Sequence, residues 1–214
     1  MRATVLLILI CIAVYPLGFQ YPGLLSYSYD NLVVRHEWWT PVTALFMHGS
    51  LGHLLGNMLF LFLFGRALER IIGSERLLFS FLAGGVLSIL TSFFFYAPSE
   101  PIVGASGAIC TIIGLLMIYS PWKISFLLNF FPMPLGVAAL TYLLVNFFLA
   151  YSSRQNPSSG MHTAYELHIM GFVAGILLGM AWNPDWKKNL LISVLSFIGF
   201  YIILALIIFY VKYR

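Results

Sequence analysis

The chain has 214 residues, 61% of them hydrophobic and only 8% charged, with a formal net charge of +4 and a mean hydropathy of +0.94. A soluble domain carries about 25% charged residues, so this composition excludes an ordinary water-soluble fold and predicts an all-α polytopic membrane protein. The basic residues are scattered at the ends of apolar runs, where they mark topology and not nucleic-acid binding, and the two cysteines (Cys11 and Cys110) lie inside apolar runs without CxxC or zinc-ligand spacing.

A membrane-crossing helix needs about 20 apolar residues. Runs of this kind predict about seven spans, near 3–19, 50–68, 75–96, 105–120, 133–151, 165–182 and 190–211. The first follows Arg2 in the manner of a secretory leader, but no small-x-small cleavage site stands between Pro16 and Pro22, so it reads as the first span. Residues 20–49, with Arg35, His36 and Glu37 beside Trp38 and Trp39, read as a partly interfacial loop. Residues 121–134, bracketed by Pro121, Pro132 and Pro134, are expected to run along the opposite interface, and 152–162 to form a polar loop. The spans consume nearly the whole chain, which predicts one membrane-embedded domain over 1–214 and leaves no room for a second, soluble one.

Positive charge favours the inner side of a membrane. With the N-terminus inside, the inner side holds Arg2, Arg66, Arg70, Arg76, Lys123, Lys187 and Lys188, and the outer side holds Arg35, Arg154, Lys212 and Arg214. Spans two, four and six then enter from outside. His53, Ser106 and His168 each fall within about a turn of the outer start of their span, roughly 10 Å from the surface at 1.5 Å per residue. Three polar groups at one level predict a shared, outward-facing site, because polar groups inside lipid are costly.

Ser106 lies in Gly104-Ala-Ser-Gly107 at the start of the fourth run. A helix N-terminus offers free N–H groups and a positive dipole end to a developing oxyanion. The alternative is a small residue used for tight helix packing. His168 shares a helical face with Gly171 and Gly175, so it points at a closely packed neighbour, for which the fourth span with Gly107 and Gly114 is the candidate. It reads as a base for Ser106, or as a histidine bonded to a backbone carbonyl. His53 and Asn57, four apart, share a face and could donate to an oxyanion. His48 reads as bonding loop backbone. His48, His53 and His168 could together supply metal ligands, but HExxH is absent and no carboxylate lies nearby in these spans. Arg66, Glu69 and Arg70 are spaced to pair along one helix, with Glu69 alternatively capping or reaching Arg76. Glu166 reads as a solvated rim residue or a tuner of His168. Thr141, Tyr142 and Asn146 read as satisfying local bonds.

Taken together, His48-x4-His53-x3-Asn57 in span two, Gly104-Ala-Ser106-Gly107 in span four and His168-x2-Gly171-x3-Gly175 in span six resemble the rhomboid family of intramembrane serine proteases. Their order and placement match, as does Glu69 with Gly73 in GRALERIIGS. The resemblance covers roughly 1–182, with 190–211 as the added span of a six-plus-one arrangement. It implies a rhomboid-like helical bundle. Ser106 would be the nucleophile and His168 the general base, with no third acid, so that packing orients the imidazole. His53, Asn57 and the Ser106 backbone N–H would form the oxyanion hole. It implies single-pass transmembrane substrates cut near their outer end, in a lipid bilayer, with no metal, nucleotide or other cofactor. An inactive member that binds or escorts membrane helices is the alternative. Two positions depart from the family: Trp39 is followed by Thr40 and not arginine, and Cys110 stands where several members place an aromatic ring against the histidine. Cys110 is then expected to face the site and to expose it to thiol reagents. Nothing in the pattern specifies an oligomeric state.

Overall fold

A computed structural model describes residues 2–125, 132–155 and 164–212. The fold is built of helices, because within lipid a helix satisfies every backbone group from its own segment. In chain order, α1 (Arg2–Gln20) is followed by three short helices, α2 (Pro22–Leu25), α3 (Tyr29–Val33) and α4 (Thr40–Thr43). A 3-10 turn (Ala44–Phe46) leads to α5 (Leu51–Phe60), which runs through a π-helical stretch (Leu61–Gly65) into α6 (Arg66–Ile72). Then come α7 (Ser74–Leu90), α8 (Ser106–Tyr119), a two-residue antiparallel pair of β1 (Ile124–Ser125) and β2 (Met133–Pro134), α9 (Leu135–Gln155), α10 (Tyr165–Trp182) and α11 (Trp186–Lys212).

Six of the predicted spans are helices long and apolar enough to cross a membrane, counted among the described residues. The fourth differs. Helix α8 has 14 residues, about 21 Å, against a hydrocarbon core of about 30 Å. It is buried at every position from Gly107 to Ile118. A helix apolar on all sides belongs at the centre of a bundle, and α8 packs against α7, α9, α10, α11 and the α5–α6 span. The last span is its opposite: α11 is as apolar, yet only 6% of its span is buried, so its surface is left to lipid.

The seam between α8 and α10 is the tightest in the fold. A Cβ on Gly171 would collide with the Gly107 carbonyl, and one on Gly175 with the Thr111 carbonyl. Only glycine permits backbones this close. Thr111 Oγ1 then donates across the seam to the Gly171 carbonyl at 2.9 Å.

The loop expected over 20–49 is structured. Its backbone pairs with the segment before α8, Tyr27 exchanging bonds with Ile102 at 3.1 and 2.7 Å, and Gly104 N–H donates to the Ala44 carbonyl at 2.9 Å. Trp39 Nε1 donates to the Leu24 carbonyl at 3.0 Å, which anchors the loop without an arginine at position 40. Of the stretch 121–134, residues 126–131 lie outside the described residues; of the expected polar loop, 152–155 continue α9 and the remainder lies outside them.

Glu69 takes up the capping alternative that the sequence left open. Its carboxylate reaches across to the start of α1, accepting from Ala3 N–H at 2.9 Å, Thr4 N–H at 3.2 Å and Thr4 Oγ1 at 2.6 Å. Ser74 Oγ adds a bond of 2.6 Å. Position 69 thus caps the N-terminus of another helix, whose first N–H groups have no partner of their own.

Candidate active site

His53, Ser106 and His168 line one cavity of about 780 Å³, together with Asn57, Phe60, Tyr96 and Tyr142. Each of the three stands in the first turn of its helix. Ser50 caps α5 with extended backbone, its Oγ accepting the His53 N–H at 3.1 Å, which places His53 one turn from the cap. Ser106 is the first residue of α8. His168 is the fourth of α10. Three helix N-termini therefore converge on one cavity, and their dipoles and free N–H groups favour negative charge there.

Gly104 sets the spacing. Its φ is +124°, a conformation that L side chains rarely adopt. The space a side chain would take holds the His53 ring, with Nε2 and Cε1 2.8 Å from the Cβ position and Ser106 Oγ at 3.9 Å from the same point. Gly104 thus brings His53 beside the serine. Asn57 is buried and lines the cavity; its Nδ2 donates one hydrogen to the His53 carbonyl at 2.8 Å, leaving the second. Ser106 and His168 share the cavity without a direct hydrogen bond.

Behind the cavity, His48 bonds loop backbone as expected: its Nδ1–H donates to the Phe46 carbonyl at 3.2 Å. Its ring lies edge-on to His53 with centroids 5.1 Å apart. Burial, and to a lesser extent His53, press its pKa down to about 4.

Two expectations are corrected here. Cys110 does not face the cavity. It is fully buried, with Sγ 3.4 Å from the hydroxyl of Tyr142. Tyr142 of α9 lines the cavity in its place. Nor is the imidazole oriented by packing alone. Asn146 Oδ1 lies 2.8 Å from His168 Nδ1, both residues being buried. Sequence reasoning assigned Asn146 a local bond, and it has one, Nδ2 donating to the Tyr142 carbonyl at 2.9 Å. The signal for its second role was an amide in an otherwise apolar span, a costly placement that marks a partner. Tyr165 completes the surroundings, its ring edge-on to His168 at 6.0 Å.

At the rim, Glu166 does not stand free in solvent. It accepts from Tyr96 OH at 2.7 Å and from Arg154 Nε at 2.9 Å. These bonds tie the segment after α7, the end of α9 and the start of α10 together. Burial, and next the Glu166 carboxylate, hold the Tyr96 phenol protonated by raising its pKa.

A family model described as the Rhomboid domain matches residues 35–184. Rhomboid protease GluP of Bacillus subtilis is 30% identical over 166 residues, 78% of this chain but 31% of that protein. The putative rhomboid protease YdcA of the same organism is 34% identical over 94 residues, 42% of this chain and 45% of its own length. Rhomboid protease GlpG of Haemophilus influenzae is 27% identical over 193 residues, covering 88% of this chain and 94% of its own. The match thus spans less than half the length of GluP or YdcA and nearly all of GlpG.

Proposed function

The chain belongs to the rhomboid family, and from that premise we propose that it is an intramembrane serine endopeptidase acting on transmembrane segments of other membrane proteins. The observation that carries the reading is the convergence of Ser106, His168 and His53 on one cavity, each in the first turn of its helix.

Ser106 Oγ attacks the scissile carbonyl of a locally unwound substrate helix, and its proton passes to His168 Nε2. The resting absence of a direct Ser106–His168 bond fits this role, since catalytic hydrogen bonds commonly tighten only when substrate enters. The tetrahedral oxyanion is received by the Ser106 backbone N–H, the free Asn57 Nδ2 hydrogen and the His53 ring, at the positive ends of α5 and α8. His168 then gives its proton to the leaving amine, and water resolves the acyl-enzyme.

We read 1–214 as one membrane-embedded domain in the cell membrane, its core ending near 182 and α11 added to it. The excess of Arg and Lys on one side supports an inner N-terminus and a cavity that opens outward. An impermeant thiol reagent applied to Trp38→Cys in intact cells tests this orientation: Trp38 is well exposed, and labelling is expected from outside.

The deciding experiment is cleavage of a reporter transmembrane helix, with small residues near its outer end, by purified protein in liposomes. Wild type is expected to cleave. Ser106→Ala and His168→Ala are each expected to lose cleavage by at least about a hundredfold while retaining their thermal unfolding transition. Undiminished cleavage by Ser106→Ala would overturn the nucleophile. Folded wild type that captures helices without cutting them, and does not react with a fluorophosphonate, would identify an inactive helix-binding member instead.

A further inference from the structure

The bond between Asn146 and His168 carries more than support. Tyr142 contributes a backbone carbonyl, which can only accept, so the Asn146 amide must present its NH2 to Tyr142 and its oxygen to His168. An amide oxygen in turn can only accept, so His168 must carry its proton on Nδ1. The neutral ring then has one arrangement left: Nδ1–H donates to Asn146, and Nε2 keeps its lone pair.

We propose that Asn146 is a positioning residue that locks His168 as the Nδ1–H tautomer, making the site a serine–histidine–asparagine relay spread over α8, α10 and α9. The proposal rests on the protease reading above and adds a third member to it. Asn146 touches no reacting atom. It acts through His168 in three ways. It keeps Nε2 bare to take the Ser106 proton. It fixes the ring plane through a 2.8 Å bond in a buried setting. It remains a partner for Nδ1–H when the ring becomes an imidazolium. Being neutral, the amide does all three without a carboxylate, which would have to be desolvated inside a membrane.

The Asn146 amide is in turn set by its neighbours on α9. Its NH2 is fixed one helical turn back by the carbonyl of Tyr142, whose hydroxyl is seated against Cys110. A bulky ring at 110 would compete for the space of Tyr142. The cysteine at this position and the asparagine at 146 belong to one arrangement.

The test exploits the two ends of the amide. Asn146→Asp keeps the acceptor toward His168 and removes the donor toward Tyr142. Asn146→Leu removes both. Each variant is assayed in liposomes beside wild type and Ser106→Ala, with kcat and KM separated. Asn146→Leu is expected to lose at least about tenfold in kcat with KM changed less than threefold, and Asn146→Asp to recover most of that loss. Equal activity loss in both variants would assign the residue a structural role through Tyr142 and overturn the proposal.

A second readout needs no turnover. In 15N-histidine-labelled protein, the His168 resonance, assigned by its loss in His168→Ala, is expected to report a proton on Nδ1 in wild type and a mixture of tautomers in Asn146→Leu. A proton on Nε2 in wild type overturns the proposal even if the enzyme cleaves. Wild type that neither cleaves nor reacts with a fluorophosphonate, yet shows the Nδ1–H tautomer, overturns the protease reading while leaving the Asn146 lock in place. Should Asn146→Leu fail to fold, the tautomer in wild type and the activity of Asn146→Asp still decide.

Discussion

His48 is a buried imidazole bonded through Nδ1, and Nε2 has no partner among the described residues. Its pKa of about 4 in the fold, against 6.5 for the free side chain, couples stability to acidity. The unfolded chain takes up a proton as pH falls through 6.5 and the folded one does not, so stability is complete above that value and declines toward pH 4. The full loss amounts to about 3 kcal/mol. Thermal unfolding in detergent at pH 7.5 and at pH 5 is expected to show the drop, and His48→Asn to reduce it; an unchanged pH dependence in His48→Asn would remove His48 as its source.

Ser106, His53 and His168 were legible in the sequence because each interrupts the beginning of an apolar run, where a polar group has no ordinary reason to be. Asn146 was half legible. Its bond to the Tyr142 carbonyl is local and follows from an i, i+4 relation, whereas its bond to His168 depends on how α9 faces α10. Side-chain direction across helices is not written in spacing alone. The same limit explains Cys110, one turn from Ser106 but rotated toward α9.

Among the elements, the long spans followed from apolar run length, and α8 was read as one of them although it ends short. The segment 20–49 read as a loop because α2, α3 and α4 have four or five residues each, too few to display a helical period. What orders them is their pairing with the strand-like segment before α8, a contact between distant parts of the chain. Capping by Glu69 was one alternative in the sequence, but which helix it caps was not legible for a like reason: charge spacing pointed to Arg66 and Arg70, and only the packing of α1 reveals donors that need an acceptor. Glu69→Ala is expected to strip that cap and cost about 2 kcal/mol. Cys11, fully buried on α1, is the reporter: maleimide is expected to leave it unmodified in wild type and to modify it in Glu69→Ala as α1 loosens. Equal protection in both proteins would show that α1 is held by its apolar face alone. Cys110 is expected to stay unmodified in both.

At the scale of the whole molecule, the helices divide by what surrounds them. α8 and α10 touch through their backbones, while α11 is bounded mostly by lipid. Opening such a molecule starts where the fewest contacts must break. Amide hydrogen exchange in liposomes is therefore expected to be slowest in α8 and the facing half of α10, and faster at the start of α1 once Glu69 is replaced. Faster exchange in α8 than in α1 would contradict the seam as the mechanical centre. Ser106 and His168 stand on the two sides of that seam, so their separation is set by backbone contact, while Asn146 stands on α9 outside it.

The shortness of α8 has a further meaning. A full-length span would carry its first residue up among the lipid headgroups, or bury it in acyl chains wherever the bundle leaned. A helix about 21 Å long is shorter than the hydrocarbon core, and its first residue, Ser106, lines the cavity it shares with His53 and His168. The protease reading proposed above requires two reactants, and a bilayer would deliver only the peptide. The second is solvent, which acyl chains exclude. On that reading, the cavity beside the serine, walled by the loop before α8 and the first turns of α5 and α10, is the route by which water would reach a bond otherwise kept dry.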